Sequence, residues 1–286
     1  MITKAEYILT TAKTYFNSNG LLLNENKTQF IFFGSRQYTS RIPQNVSLKF
    51  NDVTLIPSYS VKNLGIIMDS HMTFSDHIDQ LHKKVTGILL YINRVGNYLE
   101  PDCRIMVVQS LVLSILNYCL RVWGSTNKTQ MERVKKLQNF AARVAAGGAR
   151  KYDHVTPIFE KLNWLRMDQK FLYDICILIF KIRNKFLPEW LFSLPTVQQI
   201  RSEVVNTRYR NNLFVPRTFT DTGARSFNVL GPLSFNRLPD HIKNCGSLSS
   251  FRSQLMKHLL QKYFILNLFV ILLNSQVYIC NCMKFI

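Results

Sequence analysis

The chain has 286 residues, enough to bury a substantial core in one large domain or two ordinary ones. Hydrophobic residues make up 47%, aromatics 12% and charged residues only 19%, a balance that excludes an intrinsically disordered chain. Thirty-six Lys and Arg against 17 Asp and Glu leave a formal charge of +19, which makes a polyanion the natural partner.

The basicity runs along the whole chain and is heaviest in residues 201–286, with eleven bases and three acids. An anionic membrane would also attract such a charge, but the bases do not gather on one amphipathic helix, so RNA or DNA is the favoured partner and a membrane the disfavoured one. Six cysteines (Cys103, Cys119, Cys176, Cys245, Cys280 and Cys282) are scattered without a CxxC, and the opening "MITKAEYILTTAK" has no apolar signal core. They read as reduced thiols in a nuclear or cytoplasmic protein. Cys280 and Cys282 have no His or Cys at ligand spacing, so no zinc site is expected.

Taken in chain order, apolar residues at helical spacing predict a helix over 4–18, stopped by Asn19-Gly20. The runs at 28–33, "SLKF", "VTLI" and "NLGIIM" predict three or four short strands, with Asn51-Asp52 as a hairpin turn. After Phe74 the period changes from two to 3.6: Ile78, Leu81, Val85, Ile88, Leu89 and Ile92 share one face of a helix that Ser75 can cap. Further helices are predicted over 102–122, 128–146, 168–186 and 248–262, with a polar, loop-like stretch between 187 and 246. The fold class is therefore α+β, a short β-rich part followed by a mostly α-helical remainder. Residues 263–283 carry no charge but are interrupted by Asn267, Asn274, Ser275, Gln276 and Asn281. They read as a buried terminal helix, a tail anchor, or translated DNA beyond an older coding end.

Four blocks, "NGLLLNENKTQFIFFG", "VKNLGIIMDSHMTFSDHI", "YCLRVWGSTNKTQMERVKKLQNFAARV" and "RYRNNLFVPRTFTDTGARSFNVLGPLSFNRLPDHIKNCGSLSSFRSQL", stand in this order across residues 1–262. Together they resemble the C-terminal part of a non-LTR (LINE-type, jockey-like) retrotransposon reverse transcriptase. The resemblance implies a palm remnant over 1–70, a helical thumb-like domain over 71–186, and a basic C-terminal region with a terminal helix over 187–262; the hydrophobic tail over 263–286 lies beyond it.

The resemblance also implies site residues. From spacing alone Lys27 reads as a solvated loop lysine next to a core strand; the resemblance places it in the block similar to the palm's motif D, where a cation could protonate or steady the departing pyrophosphate. Gly65 falls in the block similar to the primer-grip hairpin, where it would admit a sugar-phosphate chain closely or merely relieve a bulge. In the thumb-like part Lys83, Lys84, Arg133, Lys135, Lys136 and Arg143 are candidate phosphate contacts. In the last block Arg208, Arg210, Arg217, Arg225 and Arg237 alternate with Tyr209, Phe214, Phe219, Phe227 and Phe235, a pattern that serves either backbone binding with base stacking or packing on a helical surface.

Polymerases of this class work through two Mg²⁺ ions clamped by carboxylates. The sequence has no Asp-Asp and no Asp-x-Asp, and Asp76 and Asp79 sit where a helix first turn favours acids. The chain alone is thus expected to bind no cofactor, to have no catalytic residues of its own, and to be inactive as a polymerase. Two other readings stay open: the mis-started end of an active enzyme, or a protein retained as a scaffold or membrane tether.

Overall fold

A computed structural model describes residues 2–43, 45–51, 53–147, 153–188, 194–200 and 211–261. The fold is α+β, with two small antiparallel sheets in the N-terminal part and helices in the remainder. The chain divides into two compact units at Asp79/Gln80.

In the first unit α1 (Ile2–Ser18) packs on a hairpin of β1 (Leu48–Phe50) and β2 (Val53–Leu55). Leu48, Phe50 and Leu55 alternate inward from the two strands and meet Ala5 and Leu9 of the helix, together with Leu23 and Phe30. The strands pair Leu48 with Leu55 and Phe50 with Val53, and Asn51 takes a φ of 54° in the turn, as the Asn-Asp dipeptide predicts. Glu6 of α1 accepts a hydrogen bond from the Lys49 amide at 2.9 Å, tying the helix to the edge of β1.

A second hairpin joins β3 (Ser60–Asn63) to β4 (Ile66–Asp69) through Leu64 and Gly65, with φ of 46° and 86°. Positive φ at both loop positions is the twist-matched two-residue turn, and glycine suits its second position. The strand expected at 28–33 is not formed. Only Phe30 bridges, to Pro57, with the Ser58 amide donating to the Phe30 carbonyl at 2.7 Å. Proline has no N–H to continue a ladder, so the pairing stops after one step. The short helix α2 (Arg36–Thr39) follows, capped by Ser35.

α3 (Ser75–Val95) opens from β4, and the boundary between the units falls inside it. Ile78, Leu81, Val85, Leu89 and Ile92 are buried, as their spacing predicts. Ser75 is the first helical residue and not the residue preceding the helix; the connection is organised instead by Asp69.

The single helix expected at 102–122 is broken. α4 (Pro101–Val108) widens into a π turn at Gln109–Leu113, continues as α5 (Ser114–Asn117), and stops at Cys119, whose φ is 48°, before α6 (Leu120–Trp123). The Trp123 indole donates to the Tyr118 carbonyl at 2.8 Å, satisfying an acceptor at the break. α7 (Lys128–Ala146) is capped by the Asn127 side chain. α8 (Thr156–Leu162) was not legible in the periodicity.

α9 (Met167–Arg183) is the centre of the second unit, packing against α6, α7, α12 (Phe227–Asn236) and α14 (Leu248–Gln261). Phe180 stacks on Phe251 with ring centroids 4.2 Å apart. Buried Gln138 fixes the approach to α9 from both ends of its amide, donating to the Leu165 carbonyl and accepting from the Met167 amide, each at 2.9 Å. Gln169 donates to the Leu259 carbonyl of α14 at 2.8 Å.

The stretch expected to be loop-like contains α10 (Val197–Ile200), α11 (Asp221–Ala224), α12 and α13 (Asp240–Lys243). Its Pro, Asn and Ser content suggests turns, but Val229, Leu230 and Phe235 form an apolar face that tertiary packing makes helical despite Pro232. Among the described residues no helix is long and apolar enough to cross a membrane; the tail over 263–286 lies outside them.

Candidate nucleic-acid interface

Lys27 ends a single 3₁₀ turn, Glu25–Lys27, whose Asn24 side chain accepts from the Lys27 amide. Its own side chain is exposed. Gly65 lies at the tip of the β3–β4 hairpin, where a φ of 86° gives the glycine a backbone reason to be present. Neighbouring Leu64 is 83% exposed.

The segment after β4, which carries part of the reverse-transcriptase resemblance, is a polar knot. Buried Asp69 accepts four hydrogen bonds: from the His71 and Thr73 amides at 3.0 Å, from the Thr73 hydroxyl at 3.0 Å, and from the Phe74 amide at 2.6 Å. Burial pushes its pKa up, but these donors outweigh it and hold the carboxyl below the usual range. They also stabilise Met72 and Phe74 at positive φ, 54° and 57°, which turns the chain into α3. Asp69 is thus a structural acid with its acceptor sites in use.

The outward face of α3 carries Lys83, Lys84, Gly87, Leu90, Tyr91 and Arg94, all exposed, and Tyr98 follows just beyond the helix. Tyr91 is 68% and Tyr98 91% exposed. No acid of the described residues pairs with Lys83, Lys84 or Arg94. Sequence reasoning selected Lys83 and Lys84 but missed Arg94, Tyr91 and Tyr98. For Arg94 and Tyr91 the signal was available: these positions recur at three- and four-residue steps opposite the buried stripe.

The bases on α7 have other fates. Lys135 is 2.8 Å from Asp168, which is buried at the start of α9, and 2.9 Å from Glu132. Burial disfavours the charged lysine, but the two carboxylates overcome it and raise its pKa. Arg133 donates to the Gln130 side chain, Arg143 donates to the Asp153 carbonyl at 3.1 Å, and Lys136 is exposed. Arg104, at the start of α4, donates to the carbonyls of Ala145, Ala146 and Gly96, closing the C-terminal end of α7 as a cation there should.

In the last block Arg217 is exposed beside Phe219, itself 97% exposed. Arg225 is turned inward, donating to Asp221 at 3.0 Å and to the Ser125 carbonyl at 2.8 Å. Phe235 is in the core, and burial lowers the pKa of Arg237. The alternation of arginine with aromatic residues therefore serves packing at Arg225 and Phe235 and leaves Arg217 and Phe219 at the surface. Arg208 and Arg210 lie outside the described residues.

The Mg²⁺ pair that the resemblance implies needs adjacent carboxylates with free oxygens. The buried carboxylates among the described residues do not fit that need. Asp69 is filled by donors, Asp168 is held by Lys135, and Asp174 is 2.7 Å from Lys170. Among the described residues no group of three or more His, Cys, Asp or Glu is placed to hold a metal ion. Of the histidines, His71 meets the Gly34 carbonyl, His82 meets Thr86, and burial lowers the pKa of His77. The described cysteines form no disulfide, and burial pushes the Cys176 thiol up to about 12, too high for a reactive thiolate.

One curated protein similar to this chain is the RNA-directed DNA polymerase from mobile element jockey of Drosophila funebris. It is 25% identical over 113 residues, 38% of this chain and 12% of that protein. The similarity is a distant reverse-transcriptase-like relationship, and the chain spans only a small part of its relative. No protein-family profile matches the chain, and no solved structure does.

Proposed function

We propose that this chain is a palm-edge and thumb portion derived from a non-LTR retrotransposon reverse transcriptase, that it binds RNA and DNA without reading sequence, and that it does not polymerise nucleotides by itself. The observation that carries the binding is the outward face of α3. Its uncommitted cations Lys83, Lys84 and Arg94 can neutralise phosphates and release counterions. Its exposed rings, Tyr91 and Tyr98, can stack on unpaired bases, which is indifferent to base identity. Lys136 and Arg217 extend the set of exposed cations, whereas Lys135 and Arg225 act on the protein's own carboxylates and carbonyls.

The absence of polymerase chemistry rests on the carboxylates. Among the described residues each buried acid is engaged by the protein's own donors or cations, so two metal ions could not be clamped together by these residues. Lys27 and Gly65 stand in this proposal as ancestral positions beside a catalytic centre that this chain does not supply. The distant similarity to the jockey polymerase supports the lineage. The protein would act in the nucleus or cytoplasm.

The test uses the purified chain on a primer–template with Mg²⁺ and nucleoside triphosphates, alongside filter binding to single-stranded RNA across a salt series. The expected outcome is no extension product and an affinity that falls steeply with salt. Extension would overturn the inactivity, and salt-independent binding would overturn the phosphate mechanism.

A further inference from the structure

The second unit contains a polar cleft of about 270 Å³, lined by none of the outward residues of α3. Arg183, the last residue of α9, lines it together with the ends of α12 and α13 and residues 211–213. The cleft is small and partly open to solvent. It is too small for a duplex or a peptide helix and suits one nucleotide.

The walls are unusually rich in donors. The Arg183 guanidinium carbon lies 5.8 Å from the centroid of the Phe235 ring, and both residues line the cleft. Lys243 is 2.7 Å from Asp240 and 3.5 Å from the Asn236 carbonyl. An ammonium has three donors, so one remains. Asn236 has both ends of its amide committed to the Leu213 backbone, which fixes that wall. Asn211 and Asn244 contribute further carboxamides. Two cations face one carboxylate here, leaving a net positive site with several N–H donors and a single competing acid.

We propose that this cleft binds the phosphate of a single nucleotide, Arg183 and Lys243 holding the anion and Asn211 and Asn244 hydrogen-bonding around it. The inference deepens the nucleic-acid reading: it adds a discrete seat for one phosphate to a surface that otherwise binds many diffusely. The nucleotide can belong to a strand or be free, and the chemistry at the cleft is the same.

The test is calorimetric titration of the full chain with AMP, inorganic phosphate and adenosine. AMP should bind at least about tenfold more tightly than adenosine, because a charge-assisted hydrogen bond is worth about 1.5–3 kcal/mol. R183Q should weaken AMP by at least about tenfold, R183K by less, since it keeps the charge and loses the planar fork. N244D, at the rim, brings a like charge to the anion and should weaken AMP without disturbing the Phe235 contact. Thermal melting of each variant separates loss of the site from loss of the fold. Competition by a short oligothymidylate assigns the site to a strand; AMP binding that the oligonucleotide leaves unchanged assigns it to a free nucleotide.

Equal affinity for AMP and adenosine, or an unchanged AMP affinity in both R183Q and N244D, overturns the proposal. Failure of AMP to bind while RNA binding keeps its salt dependence removes the cleft alone. Normal AMP binding beside salt-independent RNA binding removes the broader reading alone.

Discussion

α3 and α7 are both long, basic and amphipathic, yet their cations do different work. On α7, Lys135 turns toward buried Asp168 and its charge is consumed inside the protein. On α3, Lys83, Lys84 and Arg94 are exposed and form no ion pair with an acid of the described residues. The difference does not lie in the lysines or in their helical spacing. It lies in whether another element brings a buried carboxylate opposite the helix, which α9 does for α7. A basic residue therefore counts toward a polyanion surface only after its intramolecular partners have been subtracted.

Breaking the committed side of this comparison should cost the most. Lys135→Met leaves Asp168 buried without its cation and should lower unfolding free energy by about 3 kcal/mol in chemical denaturation. A loss below about 0.5 kcal/mol would place Lys135 with the outward residues of α3.

Asp69→Asn should cost about 2 kcal/mol, because an amide cannot accept from all four donors around it. The same variant has a pH signature. The native carboxyl is held below its ordinary value, so its stabilisation is present above about pH 4 and is lost as pH falls through the lowered native value. Wild-type unfolding should show this acid limb, and the Asn variant should lack it; identical pH profiles would refute the role.

Arg104→Ala removes three donors from carbonyls at the ends of α7 and α3 and should cost about 1.5 kcal/mol by thermal denaturation. The smallest change in stability is expected on α3. Lys83→Gln and Lys84→Gln should shift it by no more than about 0.5 kcal/mol while weakening RNA binding.

The sequence was most informative where one physical signal dominates. The apolar stripe from Ile78 to Ile92 located α3, the periodic run over 128–146 located α7, and Asn51 marked the first hairpin turn, whereas Gly65, read as part of a strand, is the turn between β3 and β4. It was least informative where tertiary structure overrides local preference. The strand at 28–33 stops because Pro57 is its partner, a fact of pairing and not of the run itself. The helix at 102–122 breaks at Cys119, an unusual residue for positive φ, and the break is sustained by the Trp123 indole. The Arg and Phe alternation after 208 could not reveal that Phe235 enters the core.

For the candidate interface, exposure was legible from periodicity but partnership was not. Lys135 and Lys136 are adjacent in sequence, and only the fold shows that the first meets Asp168, 33 positions later. Tyr91 lacked any signature beyond its phase on α3, and Tyr98, just past the helix, lacked even that, since tyrosine is equally at home in a core.

The most direct measurement is the salt dependence of single-stranded RNA binding for the wild-type chain and the triple variant K83Q/K84Q/R94Q, followed by fluorescence anisotropy. Removing three phosphate contacts should reduce the slope of log affinity against log salt by about 2 in magnitude, at about 0.7 per contact. An unchanged slope in a folded triple variant would contradict the assignment of the outward face of α3 to nucleic-acid phosphates.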